Sequence, residues 1–211
     1  MKKYSFRIAQ FNLAVFFSIY WLCNFLFADS ILTGSRGGLI EMRVISDFDS
    51  PWAMSFIDTD RLLVTSKKGK LWLVSTGGNK VEVLGVPKVK SGGQGGLGDI
   101  ILHPNFESNG LIYLSYVEQI GFNTPRGAVV VKGELELSEK PRVKNLVVIW
   151  EQIPKTRGSG HFSYRLVFGE EGSEHQGKLF ISSGDRQLEL PAQQWNTNLG
   201  KIIRINEDGT I

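Results

Sequence analysis

The chain has 211 residues, enough for one domain with a sizeable core. Its 42% hydrophobic and 21% charged residues exclude wholesale disorder, and 24 basic against 21 acidic residues leave a net charge of +3, too mild to imply a nucleic-acid partner. A single cysteine excludes an internal disulfide, and no Cys/His cluster offers a zinc site.

At the N-terminus, Lys2, Lys3 and Arg7 precede an almost wholly apolar run from Leu13 to Phe27, which holds Cys23 and is closed by Ala28. Basic, apolar and small residues in that order predict a secretory signal over residues 1–28, with cleavage after Ala28. Leu26, two places before Ala28, is larger than the small residue usually found there. The competing reading is an uncleaved anchor, because Ile8 to Ala28 can span about 30 Å of hydrocarbon. Either reading places the rest of the chain outside the cytoplasm: periplasmic or secreted, or anchored and facing the periplasm, with the membrane touched only through this segment.

From residue 34 to 211 the pattern is repeated β-structure. Met54 to Ile57, Arg61 to Thr65 and Lys70 to Val74 are short strand candidates, separated by Asp58-Thr-Asp60 and Lys67-Lys-Gly69. The order recurs with Asp99 to Leu102, a turn from His103 to Gly110, Leu111 to Ser115, Ala128 to Lys132 and Leu146 to Trp150. Ser138 to Lys144, with Pro141 inside, reads as a polar connection. A third round gives Leu166 to Phe168, Lys178 to Ser182 and Lys201 to Ile205. No stretch after Ser30 sustains helical periodicity over ten residues.

Small meanders repeated at a loose period are the signature of a β-propeller, in which each sheet covers its two faces with its neighbours. The expected fold is therefore all-β, a propeller of which this chain covers about three blades. Since closed rings have typically 4 to 8 blades, the chain reads as a truncated or partial propeller, with a complete smaller β-domain as the alternative.

Three histidines are candidates for chemistry. His103 precedes Pro104 in a turn and reads as packing; His175 lies in the polar loop from Glu170 to Gly177 and reads as solvated. His161 follows Gly158 and Gly160, which would let a substrate or cofactor approach the backbone. It is either a base or an ordinary core or surface histidine. Asp185, directly after a buried-type strand, is either a turn aspartate capping its own backbone or the carboxylate that orients an imidazole and raises its basicity. Arg165 could bind an anion or form a structural salt bridge. The glycine-rich stretch Ser91 to Gly98 lacks the helix and Lys-Ser/Thr of a phosphate loop, leaving Gln94 as its one side chain able to bond something planar and polar. A flexible hairpin loop is the other reading.

Six motifs occur in order: Ser50-Pro-Trp-Ala-Met-Ser-Phe56, Gly93 to Phe106, Gly160-His-Phe-Ser-Tyr-Arg-Leu-Val-Phe168, Gly184-Asp-Arg186, Ala192-Gln193 and Asn198 to Asn206. Over residues 40–211 they resemble the N-terminal half of the pyrroloquinoline quinone (PQQ)-dependent aldose sugar dehydrogenases, the glucose/sorbosone dehydrogenase family. The resemblance implies a six-bladed propeller binding PQQ and calcium at one end of its channel. It implies oxidation of an aldose at the anomeric carbon to the lactone, with the electrons passed on to an external acceptor. His161 matches the base, Asp185 its partner, and Gln94 and Gln193 the glutamines that contact PQQ.

Two departures stand out: Ser163 replaces the family's usual glycine after His-Phe and is expected to crowd the site, and Ser173-Glu-His-Gln176 lengthens a loop. The family's calcium ligands and the cations that hold PQQ match positions beyond this chain. The 211 residues alone are therefore expected to bind PQQ weakly or not at all and to be inactive. The competing function is an exported, non-catalytic propeller that binds a polysaccharide or a protein.

Overall fold

The computed structural model describes residues 30–211, so the expected signal or anchor and Cys23 lie outside the described residues. Contacts divide the chain into one unit ending at Ile45 and another from Ser46 to Ile211. In the first, β1 (Ser30–Thr33) pairs antiparallel with β2 (Leu39–Met42), joined by a turn in which Gly34 N–H donates to Gly38 O. Neither strand stands out in the sequence.

The second unit holds three antiparallel meanders whose strand order is the sequence order. The first comprises β3 (Pro51–Phe56), β4 (Arg61–Ser66), β5 (Lys70–Ser75) and β6 (Lys80–Val83). The second comprises β7 (Leu97–Leu102), β8 (Leu111–Gln119), β9 (Arg126–Glu136) and β10 (Arg142–Glu151). The third comprises β11 (Ser163–Phe168), β12 (Lys178–Ser183) and β13 (Lys201–Asn206). Turn chemistry sets the hairpins. Asp58 accepts the backbone N–H groups of Asp60 and Arg61 at 2.9 and 2.8 Å, and its carboxylate grips the Arg61 guanidinium at 2.7 Å.

The second sheet is covered on both faces, and the pleat decides which residue goes where. Ile112, Leu114, Tyr116, Val129 and Val131 pack with Leu63, Leu71 and Val83 of the first sheet. Their sequence neighbours Tyr113 and Val130 point the other way, into Leu166, Leu179, Ile181 and Ile205 of the third. This is why residues 128–131 read as an unbroken apolar run, since a strand with two buried faces has no solvent side to mark with polar residues. Each fully buried Leu or Ile contributes about 1.5–3 kcal/mol. The first strands of the meanders, β3, β7 and β11, lie side by side, β3 against β7 and β7 against β11. Sheets stacked face to face around their first strands are successive blades of an all-β propeller.

Two expectations change. The polar connection expected through Lys144 ends earlier: β10 begins at Arg142, and Val143 is buried while Arg142 and Lys144 are exposed. One buried apolar residue between two exposed cations is too faint a pattern to mark a strand end. The edge strand β6 also escapes notice, because Lys-Val-Glu-Val offers only two apolar positions. Within the turn from His103 to Gly110, a single helical turn, α1 (Phe106–Asn109), ends at Gly110 in the left-handed region.

Candidate active site

Register brings the candidate residues to one end of the sheets. Ser163 pairs with Ser183, and Ser183 with Lys201, so the segments before β11, after β12 and before β13 share one edge. In the first sheet Pro51 pairs with Ser66, and in the second Leu97 with Tyr116, which puts Trp52 and the loop before β7 at the equivalent ends. There they enclose an open cleft of about 440 Å³. Its lining includes Trp52, Gln94, His161, Ser163, Tyr164 and Asp185.

His161 and Asp185 form its polar centre. The imidazole Nδ1 lies 2.8 Å from Asp185 Oδ1. An ionised carboxylate only accepts, so Nδ1 carries the proton and Nε2 is left as the basic nitrogen. Among the described residues nothing pairs with Nε2, and the side chain is about half exposed. The Gln187 N–H, donated to Asp185 Oδ1 at 3.0 Å, and the imidazole hold the Asp185 carboxyl below the usual range.

The backbone that presents His161 is held at several points. Its N–H donates to Gln94 Oε1 at 2.7 Å, and its φ of +48° lies in the left-handed region, followed by Ser163 at +63° and Tyr164 at +57°. Such angles on residues with side chains cost roughly 1 kcal/mol or more each and persist where the surroundings over-determine them. Gly184 makes room for this turn: a Cβ there would lie 1.9 Å from the His161 carbonyl oxygen.

The Tyr164 ring forms the floor. It lies against Gly98, where a Cβ would come within 1.9 Å of its Cε2, and its hydroxyl donates to Gln94 O at 2.8 Å. Burial, reinforced by the Asp99 carboxylate, pushes the phenol pKa well up, so it remains a donor. Trp52 stacks on Tyr164 with centroids 6.0 Å apart, and the Lys67 ammonium stands over the Trp52 ring while donating to Gly93 O. Behind this wall, Ser115 Oγ accepts the Asp99 N–H at 2.8 Å and donates to Tyr164 O at 2.7 Å. The buried Asp99 carboxylate accepts the Leu166 N–H at 2.8 Å and lies 3.2 Å from Arg165, while burial pushes its pKa up.

Of the sequence candidates, His161, Asp185 and Gln94 meet in the cleft. Gln94 serves there as an acceptor for the His161 backbone. Gln193, in a 3-10 turn over Leu190–Gln193, is exposed and not part of the lining. Arg165 pairs with Asp99 as a structural ion pair. His103 is buried, accepts the Asn105 N–H at Nδ1 (2.9 Å) and faces Glu207 at Nε2 (2.7 Å), tying the β7–β8 turn to the turn after β13. His175 stays partly exposed, with its ring edge against Phe180. Tyr164, Asp99 and Arg186 carry no local sequence signal of their place here; a Gly-Asp-Arg sequence gives no sign that its arginine is buried. Among the described residues no cluster of three or more His, Cys, Asp or Glu could hold a metal ion.

Known proteins share the sequence pattern and the fold. The family model described as Glucose / Sorbosone dehydrogenase matches residues 48–211. Aldose sugar dehydrogenase YliI of Escherichia coli K12 is 34% identical over 175 residues, a match spanning 82% of this chain and 45% of that protein. The apo crystal structure of the soluble aldose sugar dehydrogenase from Escherichia coli superposes with a TM-score of 0.70 at 34% identity, covering 77% of this chain and 46% of the other. The PQQ-bound form of aldose sugar dehydrogenase from Streptomyces coelicolor shares the fold at a TM-score of 0.69 and 22% identity, over 87% of this chain and 50% of the other. The chain spans about half the length of the curated relatives it matches. With three meanders, a cleft at their shared end and a family match over most of its length, the chain belongs to the glucose/sorbosone dehydrogenase family.

Proposed function

We propose that this chain carries the proton-abstracting part of a PQQ-dependent aldose dehydrogenase site. The observation that carries the reading is the His161–Asp185 pair in an open cleft, with Nε2 free to take a proton. Oxidation of an aldose at its anomeric carbon breaks the O–H and C–H bonds of C1 and forms a carbonyl, leaving a lactone. The proton passes to His161 Nε2, and the C1 hydrogen leaves with two electrons. PQQ, when bound, supplies the acceptor for that hydride.

The residues present fit one side of such a group. Trp52, with the Lys67 ammonium over its ring, offers a flat face for a planar anionic quinone, and Ser163 and Gln94 add polar groups beside it. Asp185 holds the His161 tautomer and stabilises the imidazolium once it forms. A base of this kind is worth about 10² to 10⁴ in rate. The bound form known for the Streptomyces coelicolor relative supports PQQ as the cofactor, and the basic and apolar order of residues 2–28 supports export. The electrons then leave for an external acceptor.

The test is dye reduction by the protein supplied with PQQ, calcium and a panel of aldoses, beside His161→Ala. PQQ-dependent reduction that disappears in the variant supports the reading. Full reduction without His161, or none with PQQ demonstrably bound to the wild type, overturns it.

A further inference from the structure

Arg186 is buried, with 3% of its surface exposed, and among the described residues no carboxylate is its partner. Its guanidinium is spent on backbone carbonyls. Nε donates to Gly160 O at 2.8 Å, one terminal nitrogen to Gly158 O at 3.0 Å and the other to Arg126 O at 2.7 Å. Its carbon centre lies 3.7 Å over the Phe162 ring. The Arg186 N–H completes the ring of contacts by donating to His161 O at 3.3 Å. The side chain thus touches residues 158, 160 and 162, on either side of His161, and ties them to the start of β9.

We infer that Arg186 is the positioning residue for the His161 base, its planar guanidinium fixing the turn from Gly158 to Phe162 so that the imidazole meets Asp185 and faces the cleft. The inference deepens the proposed dehydrogenase site and rests on that reading wherever it concerns rate. The physical case is the shape of the group. Five donors in a rigid plane can satisfy three carbonyls while one face stacks on an aromatic ring, whereas a lysine ammonium is a point charge on a flexible stem and cannot do both. Glycines at 158 and 160 give the first part of this turn no side chains to hold it, the buried Phe162 ring anchors only its end, and His161 holds a left-handed backbone angle between them. Burial lowers the guanidinium pKa to about 10, so it stays charged at neutral pH.

The experiment is imidazole ¹⁵N NMR of the 211-residue chain, comparing wild type with Arg186→Lys. Wild type is expected to show His161 as one fixed tautomer with a slowly exchanging Nδ1–H. His103, buried at the opposite end of the second sheet from the cleft, serves as the internal reporter of folding. In the lysine variant the His161 Nδ1–H resonance should vanish and its tautomers average, with His103 unchanged. In enzyme that turns over, kcat should fall about 10²-fold, as for a base displaced by about 1 Å, with KM for the aldose nearly constant.

An unaltered His161 spectrum in Arg186→Lys overturns the inference whatever the activity. If that variant loses the His103 signals, Phe162→Leu, which keeps the carbonyl bonds and removes the stacking face, is read in the same way. There, a loosened His161 with intact His103 supports positioning, and an unchanged His161 overturns it. Loss of His103 in both variants makes Arg186 a folding residue and also overturns it. A wild type with the fixed tautomer that reduces no dye although PQQ is demonstrably bound defeats the proposed function and leaves the positioning result standing.

Discussion

His161 Nδ1 and Asp185 Oδ1 lie 2.8 Å apart although the residues are 24 positions apart in the chain. The pair exists because Ser163 and Ser183 are cross-strand partners, so the turn entering β11 and the turn leaving β12 rise from the same sheet edge. Asp185→Asn keeps the size of the side chain but can offer an amide N–H to Nδ1, which would favour the wrong tautomer. The expected outcome is a loss of about 10² to 10⁴ in kcat/KM, measured with the PQQ-loaded enzyme, with its thermal midpoint little changed. Retained activity would remove Asp185 from the proton-transfer step.

The Asp185 carboxyl is held below its ordinary value of 3.8, first by the Gln187 N–H and then by His161. A depressed folded pKa means that the stabilisation is fully present above the unfolded value and is lost as pH falls through the folded one. The pair should therefore keep its ionised carboxylate at every pH above about 4. Titration of the Asp185 side-chain ¹³C resonance should give a midpoint below 3.8. A midpoint above that value contradicts the hydrogen-bond pattern.

Ser115 is fully buried and bridges two backbone groups, accepting from Asp99 N–H and donating to Tyr164 O. Ser115→Ala strands both in an apolar interior. The expected cost is about 1–3 kcal/mol of unfolding free energy for a buried group left unpaired, read by urea denaturation with an unchanged slope. A variant as stable as wild type would show that the two groups find other partners.

Gly98 is pressed against Tyr164, and an added Cβ would fall 1.9 Å from the ring. The ring cannot yield without giving up its bond to Gln94 O and its stack on Trp52. Gly98→Ala should destabilise by about 1–3 kcal/mol, the usual range for overpacking, and raise the fluorescence accessibility of Trp52 to quencher. An unchanged quenching profile would mean that the strand backbone shifts instead.

Much of the fold is legible in the sequence because strand signals are local. Residues 61–65, 70–74, 178–182 and 201–205 each carry their apolar pattern and turn residues within a few positions, and each is a strand. The start of β10 and all of β6 are not legible, since an edge or a strand end with one or two apolar positions differs little from a loop. Arg186 hides for another reason. Its partners are backbone carbonyls, which every residue has, so they leave no trace in composition.

The all-β character, the order of the meanders and the residue types suited to acid–base chemistry can be read along the chain, because periodicity and side-chain type are properties of short stretches. Which of those residues meet is a property of the folded molecule. Strand register joins His161 to Asp185, and blade stacking brings Gln94 from 67 positions away to the His161 backbone while leaving Gln193 outside the cleft. That outcome depends on contacts between sheets distant in sequence, each set by how complementary faces bury one another, and no local pattern encodes it.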